Sequence, residues 1–516
     1  MDNYNFAQII HRSADRAPSK TALITNEKTL TYLQLKERVN QAGNFFKSLN
    51  IQAGDRVAVM FPNDHRFLEI NFGLMAIGAI PVPMNINLGA DTLGYILNDS
   101  GSKLLIYHHS LESKARLLHE ENDLNHYIIA GENVEGTVSN LYYDKEIKAQ
   151  STTLTIYHAG SDELCYLPYT SGSTGNPKGC KLTHKGQYWN VQSTAEVRNQ
   201  TSEDRSLVAV PLFHKNAMAE IKRTFYLGAS TVVLPKVDIV AMLQSIQKHQ
   251  CTFMTGVPAV YRSIVNHLRD SSTTYDLSSL RFVLCGSSDV PKELLDEIHK
   301  RMGTEVYEGY GLTEGGPIVL ASRKGFSKLG SAGLPVPGCS IKIMSEEEKP
   351  LPAGEIGELW VNNPGIADGY WNLPEVSKKR FTADGWLKTG DSAYQDEDGF
   401  VYIIGRKDDM INIGGENAYP KEIENILLKH EKIKDVCVLA ISHEQKGQVP
   451  VAFVVPSTAL EEEEIKSFFI DNGPAYAHPR HVFFLDELPL TGPGKINRTE
   501  LKNKLKALFA ERKIEK

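Results

Sequence analysis

The sequence predicts an α/β protein: a large N-terminal domain of two βαβ-type sheet subdomains plus a β subdomain, followed by a small α+β C-terminal lid. Three observations carry that reading. The chain has 516 residues, which at roughly 150 residues per domain implies about three domains or subdomains. Apolar runs rich in branched residues alternate with helical stretches of roughly ten to fifteen residues, the pattern of βαβ units and parallel sheets. From about Gly330 the texture changes to short strands broken by Gly/Pro turns.

Taken in order, Arg56 to Pro62 reads as a buried strand and residues 64–80 as an amphipathic helix. The alternation recurs as a strand at 230–236, a helix at 237–250, a strand at 251–258 and a helix at 259–268. It continues with strands at 280–287 and 305–309 flanking a helix at 291–302, where Pro291 suits a first helical turn and Asp289 a cap. Turns such as Leu351 to Glu355 and Asp396 to Gly399 mark an antiparallel β subdomain. A boundary near Gly405 to Asp409 divides residues 1–406 from 407–516. Beyond it the pattern predicts a helix opening at Pro420, strands at 435–441 and 449–455, an acidic helix from Glu461 and a basic helix after Arg498. The Glu461 to Glu464 run suits a solvated first turn, where the helix dipole favours negative charge.

Composition excludes several classes. Hydrophobic residues are 41% and charged residues 23%, which leaves ample material for several cores. Lys plus Arg is 56 against 63 for Asp plus Glu, a net charge of −7 with no footprint for nucleic acid. The six cysteines contain no C-x-x-C pair and read as reduced, mostly buried thiols rather than a disulfide framework or zinc site. No signal peptide, lipid anchor or integral membrane segment is read; the most apolar stretch, Gly73 to Met84, is short and carries prolines. A cytoplasmic location is expected.

Five segments carry chemistry. Tyr169-Thr-Ser-Gly-Ser-Thr-Gly-Asn-Pro-Lys-Gly179 follows the apolar Leu164 to Leu167. Its glycines let backbone N–H groups close on an anion, its hydroxyls donate further bonds and Lys178 adds charge, so it reads as a phosphate cradle although it is not a Walker loop. A flexible Gly/Ser linker is the bland alternative, and linkers seldom carry such a lysine. The second segment is Tyr307-Glu-Gly-Tyr-Gly-Leu-Thr-Glu-Gly-Gly316, where an aromatic among glycines offers a ring face and Thr313 and Glu314 offer oxygen ligands for Mg²⁺. Alone it fits a tight turn with a core tyrosine equally well. In the third, Gly385 to Asp391 and Gly399 to Arg406, an aspartate and an arginine at the ends of short strands suit ribose hydroxyls, or are plain surface residues. The fourth and fifth, Ile413-Gly-Gly-Glu-Asn417 and Thr491-Gly-Pro-Gly-Lys-Ile-Asn-Arg498, place glycines around polar residues in the C-terminal lid.

In this order and at these separations the five segments resemble the core motifs of the AMP-forming, adenylate-forming superfamily of acyl-CoA synthetases, peptide-synthetase adenylation domains and beetle luciferases. The resemblance covers nearly the whole chain, from Lys20 to Lys495. It implies a two-step ligase: a carboxylate attacks the α-phosphate of ATP to give acyl-AMP and pyrophosphate, then a thiol takes the acyl group and AMP leaves. By the same resemblance Thr170, Ser171, Gly172, Ser173, Thr174, Gly175 and Lys178 match the phosphate loop. Thr313 and Glu314 match the phosphate and Mg²⁺ positions; Glu308, Gly309, Tyr310 and Gly311 match the adenine segment, with Tyr310 as the stacking aromatic. Gly286, Ser287 and Ser288 align with a strand end lining the adenine and acyl pocket, where relatives more often have Gly-Ala-Pro. Asp391 and Arg406 match the ribose pair, Asp408 the hinge of a mobile lid, and Lys495 the catalytic lysine on that lid.

Substrate class follows less directly. His214 stands where amino-acid-activating domains carry an aspartate for the substrate ammonium, which disfavours an amino acid; in related acyl-CoA synthetases the matching histidine borders the carboxylate pocket. Lys215 and Asn216 depart from the apolar residues of many relatives, and Gly414-Gly415 resembles the loop lining a pantetheine tunnel. The resemblance therefore implies an acyl-CoA synthetase using ATP, Mg²⁺ and CoA on a fatty or aryl carboxylic acid. The alternatives are a stand-alone ligase loading an acyl carrier protein and a non-catalytic adenylate-binding protein, against which Lys178, Glu314 and Lys495 together argue. A homo-oligomer is left open.

Overall fold

The structure, a computed structural model, describes residues 3–122, 124, 126–132, 134–170, 176–286, 292–443, 445–490 and 496–512. It divides into two compact units. Met1–Ile341 with Val361–Leu387 form the first, and Lys342–Trp360 with Lys388–Lys516 the second.

The first unit holds two large sheets. One has five parallel strands in the order Ile80–Pro83, Arg56–Met60, Leu104–His108, His126–Ala130 and Leu141–Tyr142. The helix after Arg56–Met60 runs His65–Ala76, capped by Asp64, whose carboxylate accepts the Arg66 N–H at 2.7 Å. It is not amphipathic as the sequence suggests, because every residue of it is buried. Its apolar side chains join a core with helix Tyr32–Ser48. Two of its polar side chains are paired internally, Glu69 with Arg38 at 2.7 Å and Arg66 with Asp144 at 2.8 Å, whereas neither ring nitrogen of the buried His65 has a hydrogen-bond partner among the described residues. A helix covered on all sides loses its polar stripe to such pairs rather than to water.

The other sheet has nine strands. Its parallel centre runs Glu305–Tyr310, Phe282–Gly286, Phe253–Gly256, Arg205–Val208, Ser230–Val233 and Thr21–Ile24. Both edges are antiparallel; on one side Leu320–Ala321 pairs with Glu305–Tyr310. Strand alternation sorts the two faces. Leu207, Val232, Met254 and Val283 pack under helices Ile239–His249, Pro258–Asp270 and Lys292–Met302. Val208 and Val233 face the opposite core, which includes helix Lys215–Leu227. Phe253, Phe282 and Tyr307 stack across three neighbouring strands, with ring centroids 5.3 and 5.0 Å apart. Residues 287–291, including the expected cap and proline, lie outside the described residues.

The second unit contains most of a four-stranded sheet, Ser340–Met344, Gly357–Asn362, Leu387–Gln395 and Val401–Arg406, in that order. A further sheet is built on the antiparallel pair Ile433–His443 and Gly447–Pro456. Glu416–Ala418 and Ile411–Ile413 extend it, and His481–Phe484 joins Gly447–Pro456 in parallel. Helices Pro420–Leu427 and Glu462–Asn472 cover one face through Ile423, Leu427, Ile465 and Phe469. Leu501 and Leu505 of Arg498–Arg512 cover the other. The cysteines are free, and all but the half-buried Cys339 are buried.

Candidate active site

Strand Leu164–Tyr166 leads into the first motif, whose two ends are held together because Thr170 and Lys178 are antiparallel partners. Ser171, Gly172, Ser173, Thr174 and Gly175 lie outside the described residues. The pinned ends meet the second motif at Glu314. Its Oε1 accepts from the Tyr370 hydroxyl at 3.0 Å and from the Thr170 hydroxyl at 3.4 Å. Lys178 Nζ sits 5.4 Å from the centre of the same Tyr370 ring. Burial, reinforced by the Glu314 carboxylate, pushes the Tyr370 phenol well above its ordinary value, so it stays a donor. Cys180, bridged in antiparallel fashion to Tyr370, is likewise pushed up by burial and by Glu314.

The second motif enters as strand Glu305–Tyr310 and turns back at once. A Cβ on Gly311 would lie 1.9 Å from the Pro317 carbonyl oxygen, so only glycine permits this reversal. The short 3₁₀ turn Thr313–Gly315 follows, with Thr313 and Glu314 buried and the Glu314 carbonyl accepting from Ala367 N–H at 2.9 Å. A carboxylate held by a phenol, with two threonine hydroxyls supplied by the same motifs, is a hard-oxygen donor set that suits Mg²⁺. Glu308 is fixed by its backbone, which donates to Ser322 Oγ at 2.7 Å.

Gly286, Gly309, Tyr310 and Gly311 come together around a cavity of about 50 Å³. Lys215, Asn216 and Thr255 line it as well. His214 does not line it. Instead it caps helix Lys215–Leu227, its Nδ1 accepting the Asn216 N–H at 3.5 Å. Ser287 and Ser288 lie outside the described residues. The cavity also includes residues that sequence reasoning missed, Arg198, Glu220 and Arg223. The helical spacing of Asn216, Glu220 and Arg223 was a signal for one shared face, but not for the burial of that face.

In the second unit Asp391 and Arg406 are cross-strand partners, joined by an ion pair of 3.0 Å. Asp391 is buried and lies mid-strand in Leu387–Gln395, not at a strand end as the Gly-rich sequence suggests; Arg406 does end its strand and is exposed. Asp408 is exposed in the 3₁₀ turn Lys407–Asp409. Gly414 and Gly415, with φ of +64° and +99°, make the two-residue turn between Ile411–Ile413 and Glu416–Ala418. Lys495 lies outside the described residues.

Residues 10–371 match the AMP-binding enzyme family and residues 422–495 match the AMP-binding enzyme C-terminal domain. The chain belongs to this family. It is 34% identical over 498 residues to a feruloyl-CoA synthase of Amycolatopsis sp, covering 96% of this chain and 97% of that one. It is 33% identical to a long-chain-fatty-acid–CoA ligase of Bacillus subtilis (strain 168), covering 97% and 94% of the two chains. Among solved structures, the anthranilate CoA ligase AuaEII in complex with anthranoyl-AMP superposes with a TM-score of 0.91 at 29% identity, over 98% of this chain and 99% of that one. This AMP-binding enzyme is an AMP-forming acyl-CoA ligase that uses ATP, CoA and a carboxylic acid. Among the described residues no helix is long and apolar enough to cross a membrane.

Proposed function

We propose that the chain activates a fatty or aryl carboxylic acid as acyl-AMP, with loss of pyrophosphate, and then transfers the acyl group to the thiol of CoA. The buried junction of Glu314, Thr170 and Tyr370 is the observation that carries this reading, because it ties the phosphate-loop motif to the Thr-Glu motif in one corner. Charge builds on the α-phosphate during the first step, so the site needs cations and fixed donors rather than a nucleophilic side chain.

In the first unit, Thr170, residues 171–175 and Lys178 hold the phosphates, Tyr310 stacks on the adenine beside Glu308, Gly309 and Gly311, and residues 286–288 border the acyl end. His214 orients the first turn of helix Lys215–Leu227 from its cap position. Glu314, with Thr313, would hold Mg²⁺, which when bound supplies positive charge beside the phosphates. In the second unit Asp391 takes the ribose hydroxyls and Arg406 steadies Asp391. Residues 407–516 act as a mobile lid pivoting at Asp408, Lys495 serves the first half-reaction, and Gly414 and Gly415 border the pantetheine thiol in the second. The protein works in the cytoplasm.

The test is pyrophosphate release from ATP with a panel of carboxylic acids, followed by AMP release on adding CoA. Acid-dependent pyrophosphate and CoA-dependent AMP are expected. Acyl-AMP that forms but is discharged only by an acyl carrier protein would replace CoA as the acceptor. No acid-dependent pyrophosphate with any acid would overturn the reading.

A further inference from the structure

The cavity beside Tyr310 and Gly311 is charged where a fatty tail would need hydrocarbon. Lys215 opens helix Lys215–Leu227 and donates from Nζ to the Gly311 carbonyl. Glu220 and Arg223 lie roughly 6 to 10 Å farther along the axis than Asn216, on the same face. Arg198 approaches from helix His184–Val197, at its C-cap, with Nη2 3.8 Å from the place a Cβ on Gly309 would take. Arg198 is 7% exposed and Arg223 1%.

Glu220 is the carboxylate hydrogen-bonded to this pair, and Asp204 adds a weaker attraction at Arg223. Arg223 Nη2 donates to Glu220 Oε2, and Thr224 Oγ1 donates to Glu220 Oε1 at 3.4 Å. Arg223 Nε and Nη1 and Arg198 Nε have no hydrogen-bond partner among the described residues. Buried cationic donors in that state are costly unless an anion completes them. Burial and then the charge of Arg223 hold the Arg198 guanidinium down to about 9, which a bound anion would reverse.

We propose that Arg198 and Arg223 form a specificity subsite for a second carboxylate on the substrate, so that the acid this enzyme activates is a dicarboxylate with a short aliphatic or aryl spacer. The inference rests on the acid–CoA ligase reading above. The planar fork of a guanidinium matches a carboxylate edge-on, and Glu220 fixes the orientation of Arg223. A cavity of about 50 Å³ holds a small polar group and a few atoms of spacer, whereas a long alkyl tail would displace nothing polar and leave both arginines facing hydrocarbon.

The experiment measures pyrophosphate release by the full-length enzyme with ATP, Mg²⁺ and CoA on matched acids: glutarate against pentanoate, adipate against hexanoate, isophthalate against benzoate, and dodecanoate alone. In at least one pair the diacid should exceed its monoacid partner in kcat/KM by about 10²-fold, the scale on which a site built for a polar group rejects an analogue lacking it. Arg198→Met and Arg223→Met should bring that ratio toward one, chiefly through KM of the diacid, and Arg198→Lys should keep part of it. Monoacids turned over as well as or better than diacids in every pair would overturn the subsite and leave the ligase reading intact. No pyrophosphate from any acid would overturn both. The wild-type panel decides the matter even where a methionine variant fails to fold.

Discussion

A carboxylate buried against a phenol and a threonine hydroxyl is costly to keep unless a cation visits it. Glu314 is such a group, 9% exposed and oriented by Tyr370 and Thr170. On the proposed assignment, Glu314→Gln keeps the shape and removes the charge that would be offered to Mg²⁺. Acyl-AMP formation should fall by roughly 10²-fold, the range seen when one electrostatic stabiliser leaves a site, and the remaining rate should demand more Mg²⁺. Initial-rate assays over a Mg²⁺ titration check this, and an unchanged rate and unchanged half-saturation would remove Glu314 from the metal. His184 makes the opposite use of burial. Its Nδ1 accepts the Phe6 N–H at 3.0 Å, which requires that nitrogen to be unprotonated. Burial first, then the nearby Lys222 ammonium, depress the imidazole to about 3. The unfolded chain titrates near 6.5, so between pH 6.5 and about 3 it binds a proton that the folded chain refuses. Stability is therefore full above pH 6.5 and declines as pH falls through that window, by about 1.4 kcal/mol per unit for this group. His184→Gln, which retains an acceptor for Phe6, should flatten the fall in urea midpoint between pH 7 and 4.5. An identical slope in the variant would contradict the assignment.

At the scale of elements, Gly311 governs how the second motif folds back. An added methyl would meet the Pro317 carbonyl oxygen at 1.9 Å and Ile318 Cα at 2.8 Å, backbone atoms with no side-chain freedom to yield. Gly311→Ala should cost about 1–3 kcal/mol, as overpacking does elsewhere, and should displace Tyr310 and Thr313 on either side of it. Thermal unfolding and pyrophosphate release would both register the change; an unaltered melting temperature would mean the turn relaxes freely. The parallel strands were legible because runs such as Phe282 to Cys285 are apolar, branched or aromatic, whereas helix starts were less so: Pro258, read as the end of a strand, opens helix Pro258–Asp270, and Asp238, read inside a helix, caps Ile239–His249. Strand Leu387–Gln395 was harder to bound, since Lys, Gly and Asp in it are poor strand formers that pairing with Val401–Arg406 recruits. Tyr169–Thr170 and Lys178–Gly179 leave no periodic trace because closure of the loop between them creates their pairing. The charges at Glu220 and Arg223 carry no mark of burial in the sequence. Only the tertiary placement of helix Lys215–Leu227 in the sheet's cover makes them interior.

At the scale of the whole molecule, the chemistry is two reactions run by one chain, and the motifs divide between them. Adenylation concentrates negative charge where the acid meets the α-phosphate, whereas thioester formation needs a path for a thiol and has little further use for a cation at that point. Under the proposed function Lys495 is assigned to the first reaction: in the sequence Thr491-Gly-Pro-Gly precedes it, glycines leave room for a nucleotide, and a lysine is a compact charge on a flexible stem. The same proposal assigns Gly414 and Gly415 to the second; they form a bare turn where a Cβ on either residue would meet nothing within 4 Å. Lys495→Ala should therefore slow acyl-AMP formation from acid and ATP by about 10²–10³-fold, the cost of losing one such donor. The same variant, supplied with synthetic acyl-AMP and CoA, should form thioester at close to the unsubstituted rate. Single-turnover assays of each half-reaction separate the cases. A surface lysine without a role would leave both rates intact. Equal loss in both would make Lys495 a support for the C-terminal segment as a whole, and the division of labour between the two glycines and the lysine would fall with it.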